Sequence, residues 1–224
     1  MSRNLVLNYQ EAVHLTAFLK RVRGWDNSAF VRIQTRGKVV ALWAATPMEC
    51  LAFVAVPLAE AVETDFDTTV FATRMRDILG DLSQMTDSNR VASYPLPDDM
   101  PVPLPLQELP PVAGWIPSDK QTCGPLTEIV EKAIEQFHQQ AAQLPNADRK
   151  VLDMIAGQIW KGPGVAHFPL KGLHAARQLG FLSVANARAE FSTHGSWKRL
   201  VTPAGQVFFD ESPKKPKLRV IASR

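Results

Sequence analysis

Leu15, Phe18, Leu19 and Val22 recur at helical spacing behind Asn8-Tyr-Gln-Glu11, a segment with the form of a capping box, and Gly24 supplies a stop. This pattern predicts a helix over about residues 9–23. The period then changes to two. Ala29–Thr35 and Val39–Ala45 flank Arg36-Gly37-Lys38, a short hairpin loop, and Cys50–Val56 follows the turn Thr46-Pro47-Met48-Glu49 as a third strand. The first strand alternates, with Phe30, Arg32 and Gln34 opposite Val31 and Ile33. The next two are apolar almost throughout, which predicts deeper burial. Cap candidates at Asp65 to Thr68 precede Phe71, Met75, Ile78, Leu79 and Leu82, an amphipathic stripe for a second helix.

The stretch from Pro95 to Pro117 interrupts both periods with eight of the chain's 17 prolines. Each fixes φ near −65°, removes an N–H donor and restricts the residue before it, so neither a helix nor a central strand runs through it. Interleaved Leu104, Leu106, Leu109 and Val112 are too apolar for a free linker. They predict an ordered strap over the surface, anchored by Trp115 and Ile116.

Beyond the strap the helical period returns. Pro125 suits a first turn, and Leu126, Ile129, Ala133, Phe137 and Leu144 mark a long helix ended by Pro145. Asn146 is placed to cap the next, with Val151, Leu152, Ile155 and Ile159 as its stripe and Gly162-Pro-Gly164 as its stop. A third runs from near Pro169 through Leu170, Leu173 and Leu179, with Gly180 as a left-handed end and Phe181 as the contact that follows. Ser192–Ser196 reads as loop. Trp197–Val201 and Gln206–Asp210 flank Thr202-Pro-Ala-Gly205, which fits a type I turn.

The expected fold class is therefore α+β. Residues 1–94 form a three-stranded antiparallel meander with two helices. Residues 95–122 are the proline-rich strap, residues 123–211 a three-helix half ending in a β-hairpin, and residues 212–224 a basic tail. Three helices followed by a hairpin is the order of a winged-helix domain.

Composition adds bounds rather than chemistry. An apolar share of 46% in 224 residues supports a real core. No apolar run approaches the ~18 residues that span a bilayer, and the start MSRNLVLNYQEAV lacks a signal-peptide stretch, so the expectation is a cytoplasmic protein without membrane contact. Cys50 and Cys123 lie 73 positions apart and make neither a disulfide framework nor a zinc motif. Residues 1–94 carry ten basic and ten acidic side chains, residues 95–122 one and four, residues 123–211 nine and eight. The last 13 residues carry five basic and no acidic ones, leaving a near-neutral body with a basic end that reads as a solubilising tail.

The meander VRIQTRGKVVALWAATPMECLAFVAVPLA, the helix and stop LHAARQLGFL and the hairpin WKRLVTPAGQVFF resemble a family of uncharacterised actinobacterial proteins. The proline-rich centre is similar too, so the resemblance covers most of the chain. It implies no activity and transfers no catalytic, metal or cofactor residue. Members of that family tend to end at the hairpin, and the PKKPKLR extension departs from that pattern.

No G-x-S-x-G, H-E-x-x-H, Walker loop or G-x-G-x-x-G occurs. Gly162-Pro-Gly164 lacks the Lys-Ser/Thr of a phosphate loop. His167 and His174 are seven apart, with Asp153 the one carboxylate candidate nearby, but Pro169 between them breaks a shared helix face. No catalytic residue, metal ligand or cofactor is nominated. The winged-helix order does nominate a nucleic-acid face: Lys171, His174, Arg177 and Gln178 on a recognition helix, Lys198 and Arg199 on the wing. The expected role is a non-enzymatic binding or structural one through protein–protein contacts, with a protein partner or self-association. A DNA-associated protein is the alternative, and an enzyme with dispersed residues the third.

Overall fold

The strands read between Ala29 and Val56 form, but as part of a much wider sheet. The computed structural model describes residues 3–80, 90–144 and 148–212. In chain order the elements are β1 (Asn4–Asn8), α1 (Tyr9–Trp25), β2 (Phe30–Arg36), β3 (Val39–Ala45), β4 (Leu51–Pro57), β5 (Asp67–Phe71), α2 (Ala72–Leu79) and β6 (Val91–Pro95). There follow β7 (Ile116–Thr122), α3 (Cys123–Ala142), α4 (Arg149–Trp160), α5 (Leu170–Gln178), β8 (Arg188–His194), β9 (Trp197–Thr202) and β10 (Gly205–Asp210).

Eight strands form one antiparallel sheet in the order β5-β2-β3-β4-β10-β9-β8-β7, and β1 pairs with β6 in a separate ribbon. The two halves repeat each other across the β4–β10 seam. Each contributes a three-stranded meander, β2-β3-β4 or β8-β9-β10, flanked by an edge strand that runs directly into a helix, β5 into α2 and β7 into α3.

Period-two alternation gives this sheet two apolar faces. Val31, Ile33, Val40, Leu42, Val54, Phe191, Leu200 and Val207 point toward the helices and join Phe18, Leu19, Met75, Leu126 and Leu173 in the main core. That core draws on both halves: Phe18 of α1 stacks on Phe181 with ring centroids 6.3 Å apart. On the opposite face Trp43, Leu51 and Phe208 form a smaller cluster with Leu106 of the strap.

Several expectations need correction. The hairpin Trp197–Asp210 is not a free wing; β8 extends it to a three-stranded meander, and β10 pairs with β4. The winged-helix description therefore fails. Ser192–His194, read as loop, completes β8, and the turn is confined to Gly195-Ser196. Asp65–Thr68 caps no helix: Asp67–Phe71 is an edge strand, and α2 begins at Ala72. Asn8 makes no side-chain cap hydrogen bond, so the capping box does not form. Asp148 caps α4 by accepting from the Val151 N–H at 2.9 Å. Asn146, Pro145, Leu82 and the tail beyond Ser212 lie outside the described residues.

The end of α5 follows its sequence. Gly180 has φ +74°, and the Phe181 N–H reaches back to the Ala176 carbonyl at 2.8 Å, the pattern of a left-handed cap. Before α5, Val165 and Phe168 exchange backbone hydrogen bonds at 3.0 and 2.7 Å around Ala166 and His167, whose φ values are +51° and +64°. Two non-glycine residues in the left-handed region of one tight turn are unusual. They expose His167 at the turn while His174 lies buried on the helix, so the two histidines share no face.

Candidate functional site

The proline strap becomes a site because of what it crosses. After β6 it runs along the outer edge of β5, where the Met100 N–H donates to the Thr69 carbonyl at 2.7 Å and Thr68 Oγ1 to Asp99 Oδ1 at 2.6 Å. Arg3 pairs with the same Asp99, whose carboxyl is held below its ordinary range first by the Thr68 hydroxyl. An otherwise open sheet edge is thereby shielded.

The strap then turns over the outer face of the sheet. Alternation along β2 aims Arg32 and Gln34 outward. Arg32 grips Asp67 through Nε at 2.8 Å and Nη2 at 2.7 Å, and its Nη1 donates to the Leu106 carbonyl at 2.7 Å. This fork holds the Asp67 carboxyl below the usual carboxylate range. Gln34 donates to Asp67 at 2.8 Å and accepts from Trp43 Nε1 at 2.9 Å. One polar chain thus ties the indole of β3 to the strap backbone.

Register places the aromatic residues in contact across four segments. Trp43 and Phe53 face each other across β3–β4, centroids 4.4 Å apart, and Trp43 meets Phe208 at 5.3 Å. Trp115 lies on Phe208 at 5.6 Å, its Nε1 donating to the Pro111 carbonyl at 2.9 Å. The Arg199 guanidinium stacks on Trp115 at 4.4 Å and donates through Nε to Ser192 Oγ at 2.9 Å. Phe53, Trp115, Trp197 and Arg199 remain half-buried. On the strap Leu104 and Val112 are 75% and 87% exposed. Ile116, 67% exposed, pairs with Thr193 opposite Lys198 and so points to the other side of the sheet, which leaves Trp115 and not Ile116 as the anchor. The result is a face of aromatic rings, one stacked arginine and protruding aliphatic side chains.

The residues nominated from sequence are dispersed and engaged within the protein. Lys171 pairs with Glu49 of the β3–β4 turn at 2.8 Å and lies over the Phe209 ring at 4.5 Å. Arg177 pairs with Glu131 of α3 at 3.1 Å, and Lys198 with Glu211. His174 is 7% exposed, stacked on Trp160 with centroids 4.1 Å apart, its Nε2 2.9 Å from Gln178 Nε2. Gln178 accepts from Trp25 Nε1, joining α5 to α1. Burial, with the Arg177 charge adding to it, pushes the His174 pKa from 6.5 to about 4. Arg199 alone of the six belongs to the outer face. Leu170, Gly172, Leu173, Ala175 and Ala176 are buried as well, so α5 is a core helix and presents no groove-reading surface. The strap residues Leu106 and Trp115 were legible as apolar, but nothing local showed that they meet Trp43 and Phe208.

Among the described residues no cluster of three or more metal-ligating side chains occurs, and no helix is long and apolar enough to cross a membrane. Cys50 and Cys123 are both buried, and neither is in a disulfide.

Residues 1–96 match one domain of unknown function (DUF8010), and residues 110–213 match a second (DUF8185). The boundary between the two falls within the proline-rich stretch. No curated protein matches the chain. Among solved structures the fold is similar to the DNA polymerase sliding clamp of Pseudomonas aeruginosa, at TM-score 0.55 and 13% identity over 100% of this chain and 68% of that one. It is similar to a putative DNA polymerase III beta subunit from Eubacterium rectale, at TM-score 0.58 and 11% identity over 99% of this chain and 68% of that chain. The Caulobacter crescentus pol III beta aligns at TM-score 0.55 and 12% identity over 99% and 70% of the two chains. At these identities the likeness is one of fold. The protein is α+β, with a large antiparallel sheet, and its fold resembles that of the sliding clamps.

Proposed function

We propose that this protein is a non-enzymatic binding scaffold of clamp-type architecture that holds a protein partner on the strap-covered face of its sheet. The observation that carries the reading is the outer face itself. Trp115, Trp197, Phe53 and Arg199 are half-buried there beside the strap's exposed Leu104 and Val112. Aromatic residues and arginine are the types enriched where protein partners bind tightly, and rigid rings lose little entropy on docking. The strap is pinned by Arg32 and Trp115, so its protruding side chains are presented in a fixed arrangement. The test is photo-crosslinking in cells with p-benzoylphenylalanine at Val112, beside a control at Glu63. A discrete crosslinked protein at position 112, absent at position 63 and lost on Trp115→Ala, is expected. Equal or absent crosslinking at the two positions would overturn the reading.

A DNA-associated role is the second reading, favoured by the likeness to DNA polymerase clamps. Against direct contact through the nominated face, Lys171, Arg177 and Lys198 are already paired with carboxylates, and α3 exposes Glu128, Glu131 and Glu135. Labelled duplex DNA followed by fluorescence anisotropy at about 50 and 200 mM salt separates the cases. The full chain is expected to bind weakly at the lower salt, and a version stopped at Glu211 not at all. Binding by the shortened chain at the higher salt would replace the scaffold reading with the DNA one.

A further inference from the structure

The seam between the two halves is not closed along its whole length. Strand β4 pairs with β3 from Leu51 to Pro57, but its ladder with β10 covers only Leu51 to Phe53. Beyond Phe53 the sheet opens into a cavity of about 350 Å³. Its walls are the free side of β4, the β9–β10 turn around Pro203 and Ala204, and Gln10, Glu11 and His14 of α1.

Strand geometry says which backbone groups face this opening. The Leu58 N–H donates to Lys38 on the β3 side, whereas the Ala59 N–H donates to Val6 on the other. Since successive residues of a strand alternate their hydrogen-bonding direction, Ala55 and Pro57 turn theirs toward the cavity. Proline has no N–H, so these two residues offer two carbonyls against a single donor.

Among the side chains Gln10, Gln206 and Thr202 can both donate and accept, whereas the Glu11 carboxylate adds acceptors alone. Glu11 Oε2 is shut off from solvent and has no hydrogen-bond partner among the described residues. His14 supplies no compensating charge near neutrality. Burial lowers its pKa from 6.5, a hydrogen bond with the Ala204 backbone opposes that in part, and the Arg21 charge adds a smaller lowering. A carboxylate oxygen withdrawn from water and left unpaired is costly, and a cation with several N–H donors removes that cost. A planar guanidinium brings five donors in a fork that fits a carboxylate and two neighbouring carbonyls together. The volume lies at the small end of ligand pockets and suits a group of side-chain size.

We infer that the seam cavity binds a guanidinium group, with Glu11 as its counter-ion and the open backbone of β4 as its hydrogen-bonding wall. The inference is independent of the outer-face reading, since the groups that carry it are Glu11 and the backbone of β4. The guanidinium belongs either to a free small molecule or to an arginine of a partner chain.

The test uses the full chain, followed by amide NMR during titration with n-butylguanidinium chloride, beside sodium chloride at matched ionic strength. Saturable shifts at Glu11, Ala55 and Gly205 are expected with the guanidinium and not with the salt. Glu11→Gln is expected to weaken the binding about tenfold, because the charge-assisted bonds are lost. That variant removes an unpaired charge and keeps the shape of the side chain, so it folds. Glu128→Gln, on exposed α3, is expected to bind as the parent does. A capped Gly-Arg-Gly peptide that binds at least as tightly assigns the pocket to a partner's arginine; binding by the small cation alone assigns it to a free ligand. Shifts that fail to saturate, or that persist unchanged in Glu11→Gln, would overturn the inference.

Discussion

Acidification from pH 6.5 to 4 is expected to destabilise this protein by about 3 kcal/mol through His174 alone. The unfolded imidazole takes its proton at the ordinary 6.5, the folded one only at about 4. Between those values the unfolded state binds more protons, so stability falls as pH falls through that window. The contribution is whole above 6.5 and exhausted below 4. His14, its pKa lowered chiefly by burial, acts with the same sign. The carboxyls of Asp67 and Asp99, held low by Arg32 and Thr68, add their own loss at still lower pH. Urea unfolding at pH 7 and 4.5 measures the slope. His174→Phe keeps a ring against Trp160 and cannot titrate, so its stability should change much less between the two conditions. An identical slope in the variant would show that the acid sensitivity resides elsewhere.

Phe18→Ala is expected to cost ~3–5 kcal/mol, the range for truncating a buried aromatic ring. Phe18 is 2% exposed and lies nearly parallel to Phe181, at 9°. One ring comes from α1 and the other from the residue after the Gly180 cap, so the void opens where the halves meet. The main core holds residues of both halves and the sheet crosses the seam, so the loss should appear as one shifted transition rather than two. Urea unfolding followed by far-UV circular dichroism and tryptophan fluorescence checks this, because Trp43 and Trp160 report on opposite halves. Two separate transitions, with only one moved, would mean that the halves fold independently.

Which elements were legible depended on how local their signal is. Helices α1, α3, α4 and α5 announce themselves through a 3.6-residue period fixed by their own residues. The β2–β3–β4 meander and the β9–β10 hairpin do so through alternation joined by tight turns. β1, β5, β6 and β7 were missed. Each is short or polar, and β7 (IPSDKQT) buries none of its residues, because an edge strand is stabilised by one neighbour and by little of its own apolar surface. β8 was missed in part because Ser192, Thr193 and His194 read as loop residues until Arg199, Lys198 and Trp197 stand opposite them.

The same division runs through the site. Residue pattern alone shows that no α-helix or central strand runs through the proline-rich centre, that Leu106 and Trp115 there need cover, and that no familiar catalytic motif is present; the 3-10 turn at Leu104–Leu106 and the exposure of Leu104 it does not show. It could not determine that α5 is core. The helix carries Lys171, Arg177 and Gln178, and only its small residues hinted at close packing: a Cβ on Gly172 would come within 2.5 Å of the Phe168 ring. Tertiary structure alone decided that β4 meets β10, that the strap crosses the outer face and that the seam stays open past Phe53. These are pairings between residues about 60 to 150 positions apart. Periodicity reports which face of an element is apolar, but not which distant face will cover it.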